Sequence, residues 1–171
     1  FQKQTYRNRC VIAGANGRLN LIIPVKRKSG KTPLNEVSID KDQNWRKMHW
    51  KSLESAYRTS PYFEYYEHEF RSVFLEKNHD FLIDFNNEVL NITLKCLQIE
   101  TTINYSHSYV DNDKEFLDLR DLIHPKKSPS EFYFSPKYTQ VFQEKMEHLS
   151  NLSILDLLFN EGPMASNLLL K

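Results

Sequence analysis

Glycine is scarce here, four in 171 residues, beside seven prolines. That argues against a loop-rich secreted scaffold, and the ordinary composition excludes collagen-like, low-complexity and disordered classes. Cysteine is scarcer still. Cys10 and Cys96 lie far apart and form no CxxC pair. A zinc ribbon and a thioredoxin-type redox motif are thereby excluded, while one disulfide stays open. A reducing, cytoplasmic setting is the simpler reading. Long apolar runs are missing too. Leu21-Ile22-Ile23 and Leu157-Leu158-Phe159 fall far short of the ~20 residues that a membrane-crossing helix needs. No basic start followed by an apolar core is visible, so no signal peptide is expected. Nor is there an excess of either charge. With 23 basic and 22 acidic side chains, no global field draws the chain to nucleic acid or an anionic membrane. The commonest catalytic signatures are absent as well: no His-x-x-x-His pair, Walker loop, G-x-S-x-G elbow or G-x-G-x-x-G turn occurs.

What is present is an ordinary globular mixture, 40% apolar and 26% charged, with an excess of aromatics: 11 Phe, 9 Tyr and 2 Trp. The length suits one domain. Arg9 to Ala13, with Cys10, Val11 and Ile12, and Leu19 to Val25 read as strands. Asn16-Gly17 between them is a hairpin signal, because both residues tolerate positive φ. Pro24 ends the second strand or marks it as an edge. Lys26 to Pro33 reads as a basic loop, and Val37 to Ile39 as a third short strand. A helix capped by Asp40 or Asp42 runs to about Ser60, with Trp45, Met48 or His49, Leu53, Ala56 and Tyr57 on one face. Pro61 suits the first position of a second helix, striped by Phe63, Tyr66, Phe70, Val73 and Phe74. A third carries Leu82, Phe85, Val89, Ile92 and Cys96. Thr101 to Val110 alternates and is β-branched at its start, which predicts a strand. Tyr138 to His148 is ambiguous between strand and helix. Ser153-x-x-Asp156 is a capping pattern, with each side chain expected on an orphan N–H of the helix start. Gly162 and Pro163 stop that helix, and a short one follows from Met164 to Leu170.

Several groups could carry chemistry. Arg7-Asn8-Arg9 sets two guanidinium groups beside a carboxamide. On a strand the arginines point the same way and could grip a phosphate or carboxylate. A solvated strand face is the alternative. His49 lies near the helical face of Trp45 and Tyr57. It is a candidate general base, because an imidazole titrates near neutrality, with a core histidine holding one hydrogen bond as the alternative. Tyr62 and Tyr65 are freer than Phe63 and Tyr66 to stack on a sugar ring or base. The acidic run through Asp111, Asp113, Glu115, Asp118 and Asp121 fails the calcium-loop template, which requires glycine where Phe116 stands. A solvated acidic face remains, and no metal site is expected.

With these residues in view, the chain resembles the WbqC-like family. The matching stretches are Tyr6-Arg7-Asn8-Arg9, Ile23-Pro24-Val25-Lys26, Trp45 with His49-Trp50-Lys51, and Ala56-Tyr57. They continue through Pro61-Tyr62-Phe63, Thr102 to Ser106, Tyr138-Thr139-Gln140-Val141-Phe142 and Asn151 to Asn160, ending at Gly162. The similarity runs over nearly the whole chain, and the last stretch is the most specific. Family members usually open with a strand carrying a Gln-Pro-x-Tyr-type motif. None occurs here, so an upstream strand and helix segment is expected to be missing, and part of the site with it. The segment between Asp121 and Tyr138 is short for the family.

The resemblance implies work in gene clusters for O-antigen and related bacterial surface polysaccharides. The suggested chemistry is transfer of an amino acid such as glycine, or an acyl group, onto an aminosugar. On that reading His49 is the base. Arg7, Arg9 and Lys26 hold phosphate or carboxylate, Asn8 or Gln140 orients the substrate, and Trp45 and Tyr62 contribute aromatic surface. Asp156 is expected to be structural. The partner is a sugar or nucleotide-sugar. No cofactor and no oligomeric state is specified. The alternative is a non-catalytic module that binds a glycan precursor or scaffolds other enzymes. The expected fold is α+β in a single domain spanning 1–171, with mixed α/β as the alternative: a small, mostly antiparallel sheet with an N-terminal hairpin, packed by three or four helices.

Overall fold

The computed structural model describes residues 5–26, 32–106, 108, 117–120, 122–127 and 135–169. Over these residues the chain is a small α+β domain. Strands β1 (Arg9–Gly14) and β2 (Gly17–Ile22) pair antiparallel, in register from Arg9 opposite Ile22 to Gly14 opposite Gly17. The turn is Ala15-Asn16, one residue earlier than the sequence suggests. Gly17 alone takes a positive φ, +111°, and Asn16 does not. A left-handed glycine following the turn, rather than within it, closes this hairpin. Val37 to Ile39 extends the sheet only through isolated bridges, Ile39 to Val25 and Ser38 to Phe81.

Three helices follow: α1 (Trp45–Tyr57), α2 (Phe63–Leu75) and α3 (Leu82–Cys96). Their buried residues keep the three-and-four spacing that makes one face. On α1 these are Trp45, His49, Trp50, Leu53, Ala56 and Tyr57. The α1 cap position is Asn44, not Asp40 or Asp42, and it makes no side-chain cap bond. The Asp40 carboxylate instead accepts from the Asp42 N–H, which closes a local turn. Helix α2 begins at Phe63, two residues beyond Pro61, with Tyr62 at its cap.

Helix α4 (Ile154–Glu161) is the centre of the domain. Six successive residues, Leu155 to Asn160, are buried, as suits a helix enclosed on all sides. The Phe159 ring meets Tyr57 of α1 and Phe63 and Phe70 of α2, with centroids 5.1–5.7 Å apart. Gly162 ends α4 at φ +55°, and α5 (Ala165–Leu169) follows a single 3-10 turn.

Two further expectations change. Residues 101–106 carry no strand, and 107, 109 and 110 lie outside the described residues. A strand needs a ladder partner, and only Ile103 in this run is even half-buried. Residues 138–148 carry neither strand nor helix, and turns at 141–145 are held by bonds such as Lys145 N–H to the Phe142 carbonyl. The acidic run at 111–116 and 121 lies outside the described residues.

Candidate functional site

A cavity of about 330 Å³ opens between the hairpin, α1, α3 and the start of α4. Leu21, Ile23, Leu53, Phe85, Val89 and Leu155 give it apolar walls, and Arg7, Arg9, His49, Asn86 and Ser153 bring polar groups to it. The two arginines arrive by different routes. Arg9 opens β1, whereas Arg7 sits in the preceding turn rather than on the strand. The Asn86 side chain fixes that turn by donating to the Arg7 carbonyl at 2.8 Å. Neither guanidinium has a carboxylate partner among the described residues. The Arg9 Nε is buried and finds no acceptor, and an orphaned charged donor is costly unless something else satisfies it.

His49 is nearly buried, 8% exposed. Trp45 lies edge-on to its ring at 5.1 Å and Phe74 at 6.5 Å. Burial pushes the imidazole down to about 4, partly offset by its hydrogen bond to the Ile22 carbonyl. At neutral pH it is therefore uncharged, with one ring nitrogen serving as acceptor. Cys10 lines the same cavity. Burial pushes its thiol up to about 11, against a small opposing effect of a bond with Ser153. It is protonated, not a thiolate nucleophile. Cys10 and Cys96 are both free.

The other expected site residues lie elsewhere. Asn8 donates to the Ile23 carbonyl at 3.1 Å, while its own backbone carbonyl accepts the Ile23 N–H. It pins the chain to the end of the hairpin. Lys26 is exposed beyond β2, its N–H bonded to the Ser38 carbonyl. Trp45 is buried behind His49, against Phe85. Tyr62 lies over Gly162, so close that a Cβ there would sit 2.5 Å from the ring. Gln140 is buried with both ends of its carboxamide occupied by the Leu149 backbone, at 2.9 Å each. Arg7, Arg9 and His49 thus share one cavity, and Asn8, Lys26, Trp45, Tyr62 and Gln140 do not line it.

A second polar centre lies on α4. The Asp156 carboxylate is fully buried and accepts from the Tyr57 hydroxyl at 2.7 Å, Tyr138 at 2.6 Å and Gln140 at 3.3 Å. Desolvation raises its pKa, and the three donors oppose that rise. Tyr57 in turn accepts from the Ala13 N–H at 3.3 Å, tying β1, α1 and α4 together. The capping pattern is therefore only half as expected. Ser153 does cap α4, at 3.4 Å to the Leu155 N–H, but Asp156 turns inward, and the Ser153 N–H bonds Val11 instead. Helical phase held the signal: an acidic residue flanked by leucines on both sides of a short helix has no solvent face.

Residues 1–128 match the WbqC-like protein family. The chain belongs to that family. This WbqC-like protein is also 26% identical over 194 residues to the Uncharacterized protein Rv1507c of Mycobacterium tuberculosis, covering 99% of this chain and 83% of the relative. No solved structure matches it. The family match takes in the cavity's arginines, His49 and the α3 wall, and ends before Gln140 and the Asn151–Asn160 stretch. In this WbqC-like protein no group of three or more His, Cys, Asp or Glu could hold a metal among the described residues. No helix among them is long and apolar enough to cross a membrane.

Proposed function

We propose that this WbqC-like protein acts in surface-polysaccharide assembly, transferring an amino acid such as glycine, or an acyl group, to an aminosugar in the cavity bounded by β1, α1 and α3. The observation that carries this reading is the meeting of Arg7, Arg9 and His49 around one partly apolar cavity. The arginines hold the phosphate or carboxylate of the donor, for which they have no competing acid among the described residues. The apolar walls receive the transferred group and exclude water. The acceptor amine attacks the donor carbonyl, the C–N bond forms as the carbonyl pair moves onto oxygen, the bond from that carbon to the leaving group breaks as the pair returns, and on attack the nitrogen becomes ammonium-like. Such a nitrogen is far more acidic than the free amine, so even a weakly basic imidazole can take its proton and pass it to the leaving group. His49, uncharged at neutral pH, is in the form this step requires.

The test is incubation with an aminosugar and candidate donors, with product detected by mass spectrometry. Thermal-shift screening against nucleotide sugars, amino acids and ATP chooses those donors. His49→Gln is expected to lower transfer at least 100-fold while the protein stays folded, and Arg7→Ala to raise KM chiefly. Stabilisation by sugars alone, with no product from any donor, would favour the non-catalytic binding module. The buried imidazole and protonated Cys10 thiol are the observations on that side.

A further inference from the structure

The opposite flank of α1 carries a separate concavity of about 610 Å³, between α1, the end of α2 and the segment leading to α3. Its lining holds five cations, Arg46, Lys47, Lys51, Arg71 and Lys77, against two carboxylates, Glu54 and Glu76. The carboxylates are already engaged, Glu54 with Arg58 and Glu76 with Arg71, and Lys77 is paired with Glu88, which leaves Arg46, Lys47 and Lys51 as the cations without an acidic partner among the described residues. Lys47 and Lys51 lie one helical turn apart on α1. Arg46 donates to the Lys77 and His79 carbonyls, which orient its guanidinium without cancelling its charge. This positive excess belongs to the groove and not to the molecule, whose formal net charge is only +1. The back wall is the buried indole of Trp50, whose ring N–H finds no acceptor in the protein.

We infer that this groove binds a small molecule bearing two adjacent phosphates. A concave site of this volume suits a ligand of that size rather than a flat polymer surface. Two lysines beside an oriented guanidinium suit two adjacent phosphates. The inference does not rest on the transfer reaction assigned to the cavity on the other side of the helix.

Calorimetric titration of the whole chain with inorganic pyrophosphate and with uridine diphosphate tests it. Both are expected to bind, with affinity falling as salt is raised. Lys47→Ala/Lys51→Ala removes two exposed charges without touching the core. It is expected to weaken both at least tenfold at an unchanged melting temperature. Lys126→Ala/Lys127→Ala, at exposed positions that line neither concavity, is expected to leave both unchanged. Absence of binding at millimolar ligand overturns the inference, as does equal binding by the lysine double variant. Binding of a DNA duplex or anionic vesicles in preference to both small ligands overturns it too, in favour of a polyanion surface.

Discussion

At the scale of single residues, His49 and Asp156 are opposite cases of one cost. Each is a titratable group carried into the core, and each is expected to leave a signature in the dependence of stability on pH. The unfolded chain protonates His49 near the ordinary 6.5, while the folded protein resists until about 4. Between those values the unfolded state binds more protons, so stability falls as pH falls. The gap corresponds to about 3 kcal/mol, complete below the lower value. His49→Gln removes the titration while keeping a donor for the Ile22 carbonyl. Wild type is therefore expected to lose about 3 kcal/mol more than the variant between pH 6.5 and 4, read by urea unfolding at each pH. Parallel curves would show that the imidazole is solvated. Asp156 carries the reverse sign. Its folded pKa lies above the ordinary 3.8, so the folded state holds the proton longer, and stability is lost as pH rises through the raised value. Asp156→Asn is expected to erase that decline in the same experiment. The exposed carboxylates, whose pKa values are lowered, contribute the opposite slope to both proteins and cancel in the comparison.

Among the elements, the junction of α4 with α2 is the tightest. Gly162 ends α4 in the left-handed region, directly beneath the Tyr62 ring at the α2 cap, and the Tyr62 N–H bonds the Phe159 carbonyl. Gly162→Ala therefore carries two costs: about 1 kcal/mol for a Cβ at positive φ, and a steric clash with the ring. In a Tyr62→Ala background only the first should persist. Thermal unfolding of the four proteins in this cycle is expected to show Gly162→Ala as markedly milder once the ring is gone. A cost equal in both backgrounds would mean that the ring moves aside freely. This stop was legible in the sequence, as were α1 to α4, because helix periodicity and a glycine stop are local signals. The Thr101 strand was misread over residues 101–106 because β-branched composition says nothing about a free ladder edge. The hairpin was found one residue out of place, since Asn16-Gly17 fits both a positive-φ pair and a turn followed by a left-handed glycine. Arg7 and Arg9 were singled out as a pair, but their common cavity depends on Asn86, 79 residues downstream of Arg7, which no local pattern links to them. Gln140 was misjudged for the same reason: polarity alone does not distinguish a carboxamide clamping the Leu149 backbone from one facing a substrate.

On the scale of the whole molecule, both concavities depend on the seating of α1. Phe74 of α2 lines both of them, and Trp50 and His49 are adjacent residues facing different ones. Helix α1 packs chiefly on α2 and β1, and α4 joins it through Phe159 against Tyr57 and the Asp156–Tyr57 bond, while the same Phe159 ring meets Phe63 and Phe70 of α2. Because the hairpin is also tied to α4, by the Ser153 N–H to the Val11 carbonyl, no element of this core has a separate interior of its own. The domain should therefore unfold as one unit. Phe159→Ala removes the ring that three others share, and is expected to lower the unfolding free energy by about 3–5 kcal/mol. Tryptophan fluorescence reports α1 through Trp45 and Trp50, far-UV circular dichroism reports all helices, and amide exchange reports the hairpin. In wild type and variant alike, the three probes are expected to give one midpoint. A hairpin that stays protected after the fluorescence transition would mean that β1 and β2 draw their stability from somewhere other than α4. The shared helix would then not couple the arginine-lined cavity to the rest of the core.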